Sequence, residues 1–156
     1  MTGPIVHFAP ARHPVGMEIS RALEALRHRN QSVLTTIKRD GRPQLSNVVH
    51  TVGDDDVIRI SITGTRAKYH NLRRTPWAAL HVDGTDFWSY AVVECDAELT
   101  PIAADPHDAT VEELVAVYAA IAGKEHPDWE DYRRAMVAEQ RVVLRLRPTY
   151  AYGALR

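Results

Sequence analysis

Apolar and polar positions change period several times along this 156-residue chain, and each change marks a predicted element. From Glu18 the apolar positions Ile19, Ala22, Leu23 and Leu26 recur at helical spacing, which predicts a short amphipathic helix ending near Asn30. The period then drops to two. Ser32-Val33-Leu34-Thr35-Thr36-Ile37-Lys38 is rich in β-branched residues, Asp40-Gly41 is a hairpin signal, and a second strand returns from Gln44 to Val52. After the turn Gly53-Asp54-Asp55-Asp56, a third strand from Val57 to Ile62 sets Ile58, Ile60 and Ile62 on one face and Arg59 and Ser61 on the other. The isoleucines belong to a core, and the opposite face is free for ligand or solvent.

Arg66 to Arg74 fits a helix ended by Pro76. Ala78 to Val82 and Trp88 to Leu99 read as two strands joined across Asp83-Gly84-Thr85-Asp86. Thr110-Val111-Glu112-Glu113 has the form of a capping box, with Thr110 as the cap and Leu114, Val117, Tyr118 and Ile121 as the apolar stripe of a helix ended by Gly123. Asp128 is placed to cap a further helix through Ala138, and Arg141 to Leu146 reads as a last strand followed by a tail holding Tyr150 and Tyr152. About six strands linked mostly by hairpins predict a mainly β (α+β) domain, an antiparallel sheet that curls or closes. Without βαβ alternation a Rossmann fold is not expected. Residues 1–17, with Pro4, Pro10, Pro14, Gly3 and Gly16 and no period, read as a flexible arm before a single domain over residues 18–156.

Composition narrows the function classes. Lys+Arg 19 against Asp+Glu 20 gives a net charge of -1, so the chain is no nucleic-acid polycation, and the basic helix has no stacked aromatics beside it. The lone Cys95 excludes an intrachain disulfide, fits a reducing compartment, and sits in a predicted strand as an inert buried thiol. No apolar run approaches the ~18 residues of a membrane span, and the N-terminus has no hydrophobic signal core, so a cytoplasmic protein is expected. The eight histidines form no His-x-His or His-Glu-x-x-His pattern, and no metal site is expected. His50, His70 and His81 all read as structural. Nucleophile-elbow, Walker and Gly-x-Gly-x-x-Gly motifs are also lacking.

Two stretches carry candidate chemistry. Gly64-Thr65-Arg66-Ala67-Lys68 is a glycine turn leading into a helix, where unpaired N–H groups, the dipole, Arg66 and Lys68 together suit a phosphate; a solvated basic turn is the competing reading. Arg42-Pro43-Gln44-Leu45-Ser46-Asn47 puts polar side chains on both faces of one strand, with donors and acceptors suited to a heterocycle edge; a half-exposed strand with polar edges would look the same. Trp88-Ser89-Tyr90 places two aromatics where they could form a pocket wall, a subunit interface or plain core.

The run Thr35 to Asn47, then Arg66-Ala67-Lys68 with Asn71-Leu72-Arg73-Arg74, then Trp88-Ser89-Tyr90-Ala91, resembles the pyridoxamine 5'-phosphate oxidase-like split β-barrel proteins. Within them it is most similar to the flavin/deazaflavin oxidoreductase B group, which uses coenzyme F420. The resemblance covers roughly Glu18 to Gly153 and implies a homodimer of six-stranded, FMN-binding-like split barrels with cofactor sites between subunits. It implies that Arg66 and Lys68 hold the cofactor phosphate and neighbouring carboxylates. Arg42, Pro43, Gln44, Ser46, Asn47 and Ser61 would line the deazaflavin and ribityl path, and the partner would offer Trp88, Ser89, Tyr90 and Ala91 to the ring. The implied activity is hydride transfer from reduced F420 to an electron-poor small molecule, with Tyr90, His50 or water as candidate proton donors. The alternatives are an FMN-dependent oxidase or flavin reductase, and a non-catalytic F420- or haem-binding protein.

Overall fold

A computed structural model describes residues 15–156. The chain runs β1 (Val15–Gly16), α1 (Ile19–His28), β2 (Gln31–Ile37), β3 (Pro43–Val49), β4 (Thr51–Val52), β5 (Ile58–Thr63), α2 (Ala67–Arg74), β6 (Trp77–Asp83), β7 (Tyr90–Leu99), α3 (Ala109–Ala122), α4 (Trp129–Ala138) and β8 (Arg141–Ala154). All strand pairs are antiparallel, in the order β3-β2-β6-β7-β8-β5-β4, with β1 on the far end of β8. The two edges of this sheet, β3 and β4, are consecutive in the chain and separated only by His50. One stretch therefore pairs first with β2 and then with β5, which rolls the sheet into a barrel. Setting β1 aside, the sheet has seven strands rather than the expected six, because the predicted second strand breaks at His50 into β3 and β4. β3 and β5 do not pair, so the barrel is split between them.

His50 explains the break in the predicted second strand. It is fully buried, with Nδ1 2.8 Å from Ser32 Oγ and Nε2 2.8 Å from the Leu26 carbonyl, while its backbone N–H donates to Asn30 at 2.9 Å. Those bonds, to β2 and to the end of α1, draw the backbone out of β2's ladder and toward β5. Burial holds its pKa below 6.5, against the bonds to the Leu26 and Arg29 backbone.

The barrel interior takes alternate strand positions: Leu34, Ile58, Ile60, Ile62, Leu80, Val82, Val93, Leu144 and Leu146, joined by Ala22, Leu23 and Leu26 of α1 and Leu72 of α2. Each of the Leu, Ile and Val side chains is worth about 1.5–3 kcal/mol relative to exposure. A second cluster lies outside the barrel, where Val111, Leu114 and Val117 of α3 and Met136 of α4 pack on Val143 and Ala103.

Four boundaries differ from the sequence expectation. Asp108, not Thr110, caps α3, accepting from the Val111 N–H at 2.8 Å; Thr110 Oγ1 instead donates to the Pro101 carbonyl, and Glu113 accepts from Arg59 and Arg145. The expected tail is strand: β8 runs to Ala154, and a bulge at Glu94/Cys95 lets it pass Pro148, which has no N–H to give a ladder. β7 begins at Tyr90 rather than Trp88, because Asp86 closes a turn by accepting from the Trp88 and Ser89 N–H groups. The expected N-terminal arm lies outside the described residues up to position 14, whereas Val15–Gly16 pairs with Gly153 and Tyr152. Among the described residues no helix is long and apolar enough to cross a membrane.

Candidate functional site

The cationic half of the site grows from the junction of β5 and α2. The Gly64 N–H donates to the Gln140 carbonyl at 2.9 Å, and a Cβ at Gly64 would stand 2.9 Å from that same oxygen, so only glycine allows the approach. The turn that follows ends at Arg66, the N-cap of α2, which makes no side-chain capping bond and is followed by no acidic residue in the first turn. Pairing of Thr63 with Arg141 brings a third cation alongside. The Lys68 ammonium is held below its usual pKa, first by burial and then by repulsion from Arg66 and Arg141. Arg141 Nε is buried without a hydrogen-bond partner, with Glu139 Oε2 3.5 Å away. Among the described residues no carboxylate pairs with Arg66 or Lys68. Arg66 and Lys68, with Arg141 behind them, therefore leave uncompensated positive charge at an open helix N-terminus, which an anion would balance. Arg141 carries no motif that would mark it in the sequence; only the strand pairing reveals it.

Across the split lies β3. Pairing of Ser46 with Leu34 and of Gln44 with Thr36 turns Gln44 and Ser46 toward the barrel interior. There they belong to a polar chain: Thr36 Oγ1 donates to Gln44 Oε1 at 3.0 Å, Gln44 Nε2 to Ser46 Oγ at 3.2 Å, and Asn71 Nδ2 to Thr36 Oγ1 at 3.1 Å. Arg74 in turn donates to Asn71 Oδ1 at 2.8 Å. Thr36 and Asn71, both buried, thus tie α2 to the β2–β3 hairpin. Neither is among the site residues that the sequence predicts, although Asn71 falls in the Arg-x-Lys-x-x-Asn-Leu run. Arg42 sits in the exposed hairpin, its N–H donating to Asp40 Oδ1 at 3.0 Å beside Gly41 at φ 84°, and Pro43 begins β3.

Asn47 points the other way, onto an outer face that none of the helices among the described residues covers. Strand register lines up Asn47, Val33, His81, Val92 and Tyr152 in one row and Leu45, Thr35, Ala79, Glu94 and Tyr150 in the next. Leu45 (59% exposed), Val49 (48%) and Tyr150 (49%) make this face unusually apolar. A cavity of about 580 Å³ here is lined by Asn47, Val49, His81, Arg29 and Asp83. A second, of about 520 Å³, adjoins it through Arg29 and Asp83 and reaches Ser89 and Arg21.

The expected aromatic segment divides. Trp88 is 69% exposed at the tip of the β6–β7 turn, edge-to-face with Phe87 at 4.9 Å. Ser89 is buried against Gly84, where a side chain would collide with it, and accepts from the Arg156 N–H. Tyr90 stacks on His81 with centroids 5.3 Å apart. Ala91 is in the barrel core and offers a ligand only its backbone. Ser61 stands apart from all of these: it pairs with Val143, on the face of β5 and β8 that α3 and α4 cover. Burial raises the Cys95 thiol pKa to about 12, which leaves it inert. Among the described residues no three His, Cys, Asp or Glu side chains could hold one metal ion.

Comparison with known proteins places this geometry. The family model for pyridoxamine 5'-phosphate oxidase matches residues 19–154. A solved F420 reductase is 27% identical, with a TM-score of 0.56 over 82% of this chain and 94% of that one. A conserved hypothetical protein from Mycobacterium tuberculosis (21% identity, TM-score 0.65, 92% and 88% covered) shares the fold. So does a pyridoxamine 5'-phosphate oxidase-related, FMN-binding protein from Nostoc punctiforme (16% identity, TM-score 0.56, 85% and 80% covered).

Proposed function

The chain belongs to the pyridoxamine 5'-phosphate oxidase family, and from that premise we propose that it is a coenzyme F420-dependent oxidoreductase acting as a homodimer on an electron-poor small molecule. The observation that carries this reading is the pair Arg66 and Lys68 at the open start of α2, with Arg141 beside them, where burial and the two neighbouring guanidinium groups disfavour the Lys68 charge and, among the described residues, no carboxylate pairs with Arg66 or Lys68. An anionic cofactor tail supplies the missing charge, and backbone N–H groups of the first helical turn add to its hold. When bound, the deazaflavin supplies the hydride; the protein's task is to orient, to exclude water and to manage protons.

The residues divide that task. Arg66 and Lys68 would hold the phosphate, with the Thr36–Gln44–Asn71 chain fixing α2 against the β2–β3 hairpin so that the two sides of the split keep their spacing. Asn47 would meet the ring on the uncovered face. Trp88 and Phe87, left in solvent by one subunit, are what a partner's groove would receive, and Leu45, Val49 and Tyr150 would be buried with them. The fully packed His50 is unsuited to proton transfer, since both its ring nitrogens are engaged.

F420 is favoured over FMN by the likeness to an F420 reductase at 27% identity and by the Arg42-Pro43-Gln44-Leu45-Ser46-Asn47 and Trp88-Ser89-Tyr90-Ala91 stretches. Titration of the purified protein with each cofactor, followed by absorbance and Trp fluorescence, tests the assignment. Micromolar binding of F420 with none of FMN is expected; the reverse assigns an FMN-dependent oxidase or flavin reductase. Tight F420 binding without turnover of any activated alkene or quinone would make the protein a carrier. A reducing, cytoplasmic setting suits its single buried thiol.

A further inference from the structure

His81, in β6, differs from His50. His50 is locked by two hydrogen bonds, whereas neither ring nitrogen of His81 has a hydrogen-bond partner among the described residues, and its ring borders the cavity of about 580 Å³ beside Asn47. The ring is nonetheless held in place. Tyr90 stacks on it with the planes 12° apart, from the neighbouring strand, so one face is fixed while the nitrogens remain available. Among the described residues the groups that face it are Asp83 two residues on along β6, Tyr90 and Glu94 on β7, Tyr152 on β8, and Arg29 at the end of α1. Arg29 leans on Asp83 at 3.9 Å, beyond hydrogen-bonding distance, which leaves the guanidinium able to meet a second anion in the same cavity.

We propose that His81 is the acid that protonates the reduced acceptor, and that the acceptor is a conjugated carbonyl compound whose oxygen lies between His81 and Arg29. The proposal rests on the oxidoreductase reading above. The acceptor takes a hydride from the reduced cofactor at its electrophilic carbon, and its displaced π pair moves onto oxygen as an enolate. The His81 imidazolium N–H bond then breaks, its electron pair stays on the ring, and the proton bonds to the enolate. Solvent reprotonates the imidazole. Two electrons and one proton reach the acceptor with the hydride, and His81 adds the second proton. Arg29 stabilises the oxyanion while it lasts. Tyr90 acts as a positioning residue through its stack.

The test uses full-length protein and His81→Asn, which keeps polarity but cannot act as an acid. The first readout needs no cofactor: 2,4-dinitrophenolate, already an anion at about pH 6 and so a stand-in for the enolate, is titrated while the histidine ring signals are followed by NMR. The His81 signals should move, and the variant should bind the probe about 30-fold more weakly, as expected for a lost charge-assisted hydrogen bond. Unmoved signals or equal affinity would overturn the proposal. The second readout is the pH profile of the single-turnover reduction of an enone. The variant should be slower by about 100-fold and lose the wild type's pH dependence, with cofactor affinity unchanged. An identical pH profile would also overturn the proposal. A wild type that binds neither F420 nor FMN refutes the oxidoreductase reading instead, and the probe titration then still decides whether His81 meets an oxyanion.

Discussion

Lys68 is charged at a place where the fold does not favour charge. Burial and the neighbouring Arg66 and Arg141 lower its pKa from 10.5, so at neutral pH the ammonium costs folding free energy, and stability should rise as the pH climbs toward 10.5. Lys68→Met keeps the apolar stem and removes the charge. Without ligand, the variant should be as stable as the wild type or slightly more so. With ligand the order reverses. One charge-assisted hydrogen bond is worth about 2 kcal/mol, an affinity loss of about 30-fold. At a concentration about 100 times the wild-type Kd, F420 stabilises the wild type by about 2.7 kcal/mol; at that same concentration the variant gains about 0.9 kcal/mol. Denaturant melts at pH 7, with and without F420, read both numbers. A variant destabilised by more than about 1 kcal/mol without ligand would mean that Lys68 supports the fold. Undiminished stabilisation by ligand would remove it from the site.

Two further changes probe the scaffold. His50→Phe should cost about 2–4 kcal/mol, since it strands Ser32 Oγ and the Leu26 carbonyl. Because His50 is buried neutral, wild-type stability should also fall as the pH drops below 6.5, where the unfolded chain takes up a proton that the folded one resists. A melt series between about pH 7 and 5 that leaves wild type and variant parallel would discount that role. Gly153→Ala sets a side chain at φ 145° and against the Tyr90 carbonyl, so it should cost about 2–4 kcal/mol in a chemical melt and loosen the β7–β8 pairing beside the site; a neutral result would mean that the bulged strand can shift register there.

The barrel was legible where the reason for it is local. Ile58, Ile60 and Ile62 alternate because one face of a strand meets a core, Asp40-Gly41 supplies the left-handed turn residue at position 41, and Asp128 caps α4 within its own turn. What stayed hidden depends on contacts distant in sequence. His50 looks like any strand residue until its bonds to Ser32 and Leu26 show why the strand leaves β2 for β5. Pro148 and Gly153 look like tail punctuation, yet a bulge across the sheet accommodates one and the close Tyr90 backbone requires the other. For the site, the cations of the α2 start were legible from charge spacing alone. Arg141 was not, since only pairing with Thr63 brings it there. Polar residues on both faces of β3 did signal two surroundings: Gln44 and Ser46 serve the α2 tie, and Asn47 faces the open cavity. Ser61 misled because a polar residue opposite isoleucines need not face a ligand; here helices cover that face.

The most direct measurement is a crystal structure of the full-length protein grown with oxidised F420. The expected result is a two-fold dimer in which the cofactor phosphate contacts Arg66 and Lys68 of one subunit while the other subunit's Trp88 lies against the ring. A monomer, or a cofactor seated away from the start of α2, would contradict the proposed function at its root.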